Sequence, residues 1–221
     1  MDLHNNETAE AGQKARIPKS ETSGLSVQET GFWAKVWDWP TRLFHWLLAG
    51  SVMVGWYLGE YRSFTTIDYH FYLGYFTAGL LVFRLIWGFF GPPPVRFRNF
   101  IPTGSALLAY TRRVFTRTPS LVAGHNPLGG LSVVAILVAL AFQVITGFYA
   151  EDDALFASGP LMETVSSRAV LMANNLHHNG ARVILILFGI HIAAILFYAL
   201  WKRENLVLPM ITGRKKIRTK Q

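Results

Sequence analysis

Leu176 to Trp201 reads LHHNGARVILILFGIHIAAILFYALW, and its reading decides the fold. From Val183 onward the stretch is apolar with one internal histidine. At 1.5 Å per residue such a run, begun near Leu176, crosses a hydrocarbon core of roughly 30 Å as a helix. It does not alternate in polarity, which argues against a barrel strand. Three further runs of this kind precede it: Leu43 to Gly59, led in by Pro40; Phe71 to Phe90, ended by Gly91 and three prolines; and Leu128 to Ala150, after Pro127. Proline suits the first turn of a helix and stops one beyond its end. The expectation is an all-α protein, an integral membrane four-helix bundle with spans at about 39–59, 70–90, 127–150 and 176–202.

Composition agrees. Of 221 residues, 51% are hydrophobic, 14% aromatic and only 15% charged, against about 25% charged in ordinary soluble domains. This excludes a disordered or collagen-like chain, and a soluble nucleic-acid-binding domain of the usual kind. So much apolar surface cannot be hidden inside so small a soluble domain. Cysteine is absent, so disulfides, thiolate-bound zinc, iron–sulfur clusters and covalently attached haem are excluded.

The net charge of +8 is unevenly placed. The loop from Gly91 to Pro127 carries Arg96, Arg98, Arg112, Arg113 and Arg117 and no acid; the segment after Trp201 carries Lys202, Arg203, Arg214, Lys215, Lys216, Arg218 and Lys220 against Glu204. The other two loops hold Arg62 and Arg168 beside Glu60, Asp68, Glu151, Asp152, Asp153 and Glu163. Basic loops stay inside, so both termini and the middle loop are expected in the cytoplasm. The basic clusters then mark topology and contact with anionic membrane lipid rather than nucleic acid. Residues 1–31 read as a disordered polar tail without the apolar core of a signal peptide, residues 32–213 as the membrane domain and residues 214–221 as a basic tail. Thr103 to Thr116 mixes apolar residues with arginine as an interfacial helix does. Leu155 to Asn174 is a long outer loop, able to cap the bundle or receive a partner.

Ionisable residues inside spans are costly and usually functional. His45 stands early in a span running outward, and His70 early in one running inward. His177 and His191 lie near the start and the middle of another inward span. By depth His45 matches His191, and His70 matches His177. Fourteen residues separate His177 from His191, a step of about 21 Å that returns to within about 40° of the same helix face. His178 is turned away from that face, so His177 is the favoured member of the doublet. Two histidines at one level between helices suit bis-imidazole ligation of a b-type haem. His45 and His191 would hold an inner haem iron, and His70 and His177 an outer one. Zinc is disfavoured, because no layer gathers three or four ligands. Gly50, Gly55, Gly74, Gly79, Gly147 and Gly189 allow close approach of a macrocycle, or ordinary helix packing. Haem propionates want cations: Arg42 for the inner haem, and Arg62, Arg168 or Arg182 for the outer. Arg84 either snorkels or pairs with an inner propionate.

These residues resemble a known family. Val36-Trp-Asp-Trp-Pro-Thr-Arg-Leu-Phe-His45-Trp46-Leu47 is similar to the first helix of the bacterial cytochrome b561 family, which includes the b-type cytochrome subunits of membrane nickel–iron hydrogenases. So are His70-Phe-Tyr-Leu-Gly74-Tyr75 with Phe83-Arg84-Leu85-Ile86-Trp87-Gly88, Gly124-His125-Asn126-Pro127-Leu128-Gly129, and His177 followed by Gly189-Ile190-His191. The resemblance spans about Phe32 to Gly213. It implies a multi-pass protein of the bacterial inner membrane with two b haems on the four histidines named. Such a protein relays electrons between a periplasmic redox partner and membrane quinone. That partner would be a dehydrogenase, a hydrogenase or a cytochrome c, and a homodimer is compatible with the arrangement. His178, Asp68 and His125 are candidates for moving the protons that quinone reduction needs. A stand-alone oxidoreductase passing electrons from superoxide to quinone is the alternative. A non-redox anchor or transporter is a third reading, weakened by the lack of an inverted repeat.

Overall fold

The computed structural model describes residues 31–117 and 124–218. His4 and most of the expected N-terminal tail lie outside the described residues. Four long helices dominate: α1 (Trp39–Glu60), α2 (Ile67–Phe90), and, after two short helices α3 (Phe97–Phe100) and α4 (Gly104–Thr111), α5 (Pro127–Phe148) and α6 (Ser167–Leu200). A last short helix, α7 (Val207–Thr212), follows. Local chemistry sets the boundaries. Pro40 and Pro127 occupy the first turns of α1 and α5. The Asn126 side chain caps α5 by accepting the Gly129 N–H at 2.8 Å, and Ser166 caps α6 in the same way. Gly91 and Pro92 end α2.

The long helices pack antiparallel, α1 on α2 and α5 on both α2 and α6. Phe44, Leu48, Leu140 and Ile184 form the shared core, with Leu80, Leu81 and Phe83 of α2 packed against it. Outside that core the molecule is apolar on its exterior: Leu85, Phe89, Val138, Ile145, Ile186 and Leu196 are all exposed. A soluble bundle would bury this face, whereas lipid solvates it. By length and composition, α2, α5 and α6 are each able to cross a membrane. α1 matches α5 at 22 residues but is diluted by Arg42, His45, Ser51 and three tryptophans, and it falls outside that group.

Two differences from the sequence expectation matter. α6 has 34 residues and begins at Ser167, about nine residues before the anticipated start. The mixed segment Ser167 to Asn175 contains no glycine or proline to stop a helix, and its Val170 and Ala173 are buried. The expected outer loop therefore shortens to Tyr149–Ser166, which holds the hairpin strands β2 (Glu151–Asp152) and β3 (Ala157–Ser158). The ends of the domain also meet. Strand β1 (Gly31–Lys35) pairs antiparallel with β4 (Arg214–Arg218), from Gly31 opposite Arg218 to Lys35 opposite Arg214. The start of the expected basic tail is thus a paired strand. Gly213 makes the turn into it with φ of 78° and lies against the Trp37 carbonyl, where a side chain would clash. Val36, Trp37 and Val95, with Trp87 and Met210, form a second small core beneath this ribbon.

The bundle has two distinct ends. The terminal end carries the β1–β4 ribbon, α3, α4 and α7. The opposite end carries the α1–α2 turn and the β2–β3 hairpin, joined by an Arg62–Asp152 ion pair at 2.6 Å.

Candidate functional site: two histidine pairs

Helices α1, α2 and α6 bring four histidines together in two layers. The His45 and His191 ring centres are 6.4 Å apart near the terminal end. Those of His70 and His177 are 6.0 Å apart near the opposite end. An imidazole nitrogen binds a first-row metal at about 2 Å and lies about 1 Å from its ring centre, so two rings on opposite sides of one metal stand about 6 Å apart. Both pairs have this spacing.

The donor count narrows what the pairs can hold. Among the described residues no group of three or more His, Asp or Glu side chains gathers as a metal site. Each pair offers two nitrogens alone. A metal held there must bring its other ligands with it, as iron in a porphyrin does. The ring nitrogens support this fit. Nδ1 of His45 and of His70 are buried without a partner. Nδ1 of His177 is 3.0 Å from the Gln143 carbonyl and 3.4 Å from Thr146 Oγ1. If Nδ1–H donates to that carbonyl, the lone pair falls on Nε2, the nitrogen then free for a metal.

A cavity of about 940 Å³ surrounds the His70–His177 layer, bounded by Gly55, Gly74, Thr77 and Gly147 among others. That volume lies at the upper end of the range for small-molecule sites. A Cβ on Gly147 would press on the His177 ring at 2.9 Å, and one on Gly59 would lie 3.2 Å from His70. At Gly74 it would meet nothing within 4 Å. Thr77 and Ser51 line the same space with hydroxyls turned back onto the carbonyls four residues earlier, each at 2.8 Å.

The other expected site residues divide. Arg182 borders the cavity and donates to Asn179 Oδ1 at 3.2 Å, with His178 Nε2 also at 3.2 Å. His178 is thereby occupied outside the pair. Arg62 borders the cavity too, but is engaged by Asp152. Arg168 and Asp68 are exposed and do not line it. Arg42 donates to the Ile211 carbonyl at the terminal end. Arg84 is buried there, its Nη2 donating to the Val95 carbonyl at 3.0 Å. Gln143 escaped the sequence reading, although a lone amide in an apolar run is a signal. Its side-chain Nε2 donates to the His177 carbonyl at 2.9 Å, while it is its backbone carbonyl that stands 3.0 Å from His177 Nδ1. Gly59 was overlooked as well; it stands fourteen residues after His45, the step that also separates His177 from His191.

His125 lies between the rings of Trp37 and Phe100, with centres 4.7 and 4.9 Å away. Burial first, and then the positive charge of Arg84 and the nearby His191 and His45, push its pKa from 6.5 down to about 4. The folded chain holds it neutral where the unfolded chain protonates it. Stability is therefore unaffected above about pH 6.5 and declines between that value and about pH 4. The expected loss is at most about 3 kcal/mol. Thermal melts of the wild type and of His125→Gln check this: the variant should lose the acid-side slope.

Comparison with known proteins identifies the family. The prokaryotic cytochrome b561 family matches residues 36–213. A probable Ni/Fe-hydrogenase B-type cytochrome subunit of Bradyrhizobium diazoefficiens is 26% identical, the alignment covering 83% of this chain and 86% of that protein. Proteins of the same description from Azotobacter vinelandii and Cupriavidus necator are 25% and 24% identical; coverage is 80% and 86% of this chain, and 86% and 88% of theirs. No solved structure matches the chain significantly. With residues 36–213 matched and a donor set suited to haem, the chain belongs to the prokaryotic cytochrome b561 family, as a membrane b-type cytochrome of electron transport.

Proposed function

We propose that the chain is a four-span di-haem cytochrome b of the bacterial inner membrane. It relays electrons between a redox partner on the periplasmic side and the quinone pool. The observation that carries this reading is the pairing of four histidines in two layers with ring centres 6.4 and 6.0 Å apart. A b-type haem bound in each layer supplies a one-electron carrier. The protein's part is to hold and tune. His45 with His191, and His70 with His177, would hold the two haem irons through imidazole nitrogens. The backbone carbonyl of Gln143 orients the His177 ring by accepting from Nδ1–H, and its side-chain amide ties α5 to the His177 carbonyl. The surrounding apolar helices keep water out, and Arg42 and Arg182 offer positive charge toward the propionates.

Orientation is supported by the distribution of charge. Arg96, Arg98, Arg112, Arg113, Arg117 and Lys202 belong to the terminal end, and Glu60, Glu151, Asp152, Asp153 and Glu163 to the opposite end. The positive-inside rule puts the terminal end in the cytoplasm. It also makes α1 a fourth span, since α1 must return the chain across the membrane. The acidic outer end is then the docking face, and the relatives' description favours a hydrogenase as the partner. The dithionite-reduced, purified chain is expected to be reoxidised on addition of a quinone analogue, followed by its haem absorbance. A reduced spectrum that quinone leaves unchanged would rule out the quinone branch.

A further inference from the structure

A buried polar atom without a partner costs about 1–3 kcal/mol, so native folds keep few of them. Among the described residues there are eight such side-chain atoms, and six share the terminal end: Asp38 Oδ1, Thr41 Oγ1, Arg42 Nε, His45 Nδ1, Arg84 Nη1 and His125 Nδ1. Helical geometry explains the clustering. Asp38, Thr41 and Arg42 precede His45 by seven, four and three residues, steps that return to one helix face. Arg84 follows His70 by fourteen residues, the step that leads from His177 to His191. Helices α2 and α6 run in the same direction, so Arg84 stands at the depth of His191, on the face of α2 that carries His70.

Each charged group there is half used. Arg84 is 5% exposed and spends Nη2 on Val95, with the Phe97 and Phe100 ring centres 4.8 and 5.5 Å from its guanidinium carbon. Arg42 spends Nη1 on Ile211 and leaves Nε free. Asp38 takes the Trp87 indole N–H on Oδ2 at 2.9 Å and leaves Oδ1 free. Donors outnumber acceptors, and two of them are guanidiniums with unspent N–H groups. Such a set recognises carboxylate.

We propose that Arg42, Arg84 and Thr41 form a seat for the carboxylate arms of the haem held by His45 and His191, with Asp38 as the counter-charge. This rests on the di-haem reading above. The positive charge of Arg84 beside that haem favours its reduced form, and the negative charge of Asp38 opposes this.

The test is a redox titration of the haem-loaded, full-length chain, followed by absorbance. Arg84→Met should shift the reduced-to-oxidised ratio of one haem about tenfold toward oxidised, a midpoint lower by about 59 mV, and leave the other haem unmoved. Arg84→Lys should recover part of the shift. Asp38→Asn should move the same haem in the opposite direction. Should Arg84→Met fail to accumulate, Arg42→Gln serves in its place, with the same sign. A purely structural role would not give opposite signs at one haem. If haem is bound and neither Arg84→Met nor Arg42→Gln moves either potential, the seat is overturned. A wild-type chain that binds no haem overturns the di-haem reading, and the seat with it.

Discussion

Replacing His191 by alanine is expected to remove one of two low-spin haem signals and leave the other, so that haem content falls from about two to about one per chain. His45→Ala has the same outcome, because the two imidazoles share one layer with ring centres 6.4 Å apart. His70→Ala and His177→Ala each remove the other signal. His178→Ala removes neither: its ring faces Arg182 and lies outside both pairs. The pattern of five substitutions falling into two pairs and one silent neighbour is the signature of the arrangement. It is read from reduced-minus-oxidised spectra and extracted haem. If the histidines only packed between helices, all five variants would leave the spectrum as it is.

The second large effect is a change of sign at Gly74. A Cβ there would meet no neighbouring side chain or helix within 4 Å, and Gly74 lines the cavity of about 940 Å³. Were that cavity only a packing defect, Gly74→Leu would fill it and raise stability by about 2 kcal/mol. If instead the cavity receives a haem, the leucine competes with it. The variant then loses the haem of the His70–His177 layer together with the stability that ligand binding confers. Its melting temperature falls, while the His45–His191 signal persists. Melting temperature and haem content measured on the same sample separate the two outcomes.

How much of this was legible in sequence depends on the range of the interactions. The long helices were readable because apolar length and proline punctuation are local properties. The histidine layers were readable because depth and helical phase follow from residue number alone; the step of fourteen from His177 to His191 needed no tertiary contact. The same arithmetic from His70 reaches Arg84, and from His45 reaches Gly59, yet neither was singled out on that ground. The start of α6 was placed late because Ser167, Arg168, Asn174 and Asn175 interrupt the apolar run, and apolarity rather than helix capping was guiding the boundary. The β1–β4 ribbon was invisible, since Gly31 and Arg218 are remote in sequence and neither strand alternates cleanly. Gln143 could be seen as an oddity, but its bond to His177 requires α5 to lie against α6 at a particular register. α1 was grouped with the other spans, although its arginine, histidine and tryptophans make it the least apolar of the four.

An experimental density map of the purified chain in detergent or a lipid disc tests the central claim most directly. The account predicts a planar macrocycle with a central metal between His45 and His191, and a second between His70 and His177. Imidazoles that meet only protein or lipid at both levels would contradict it.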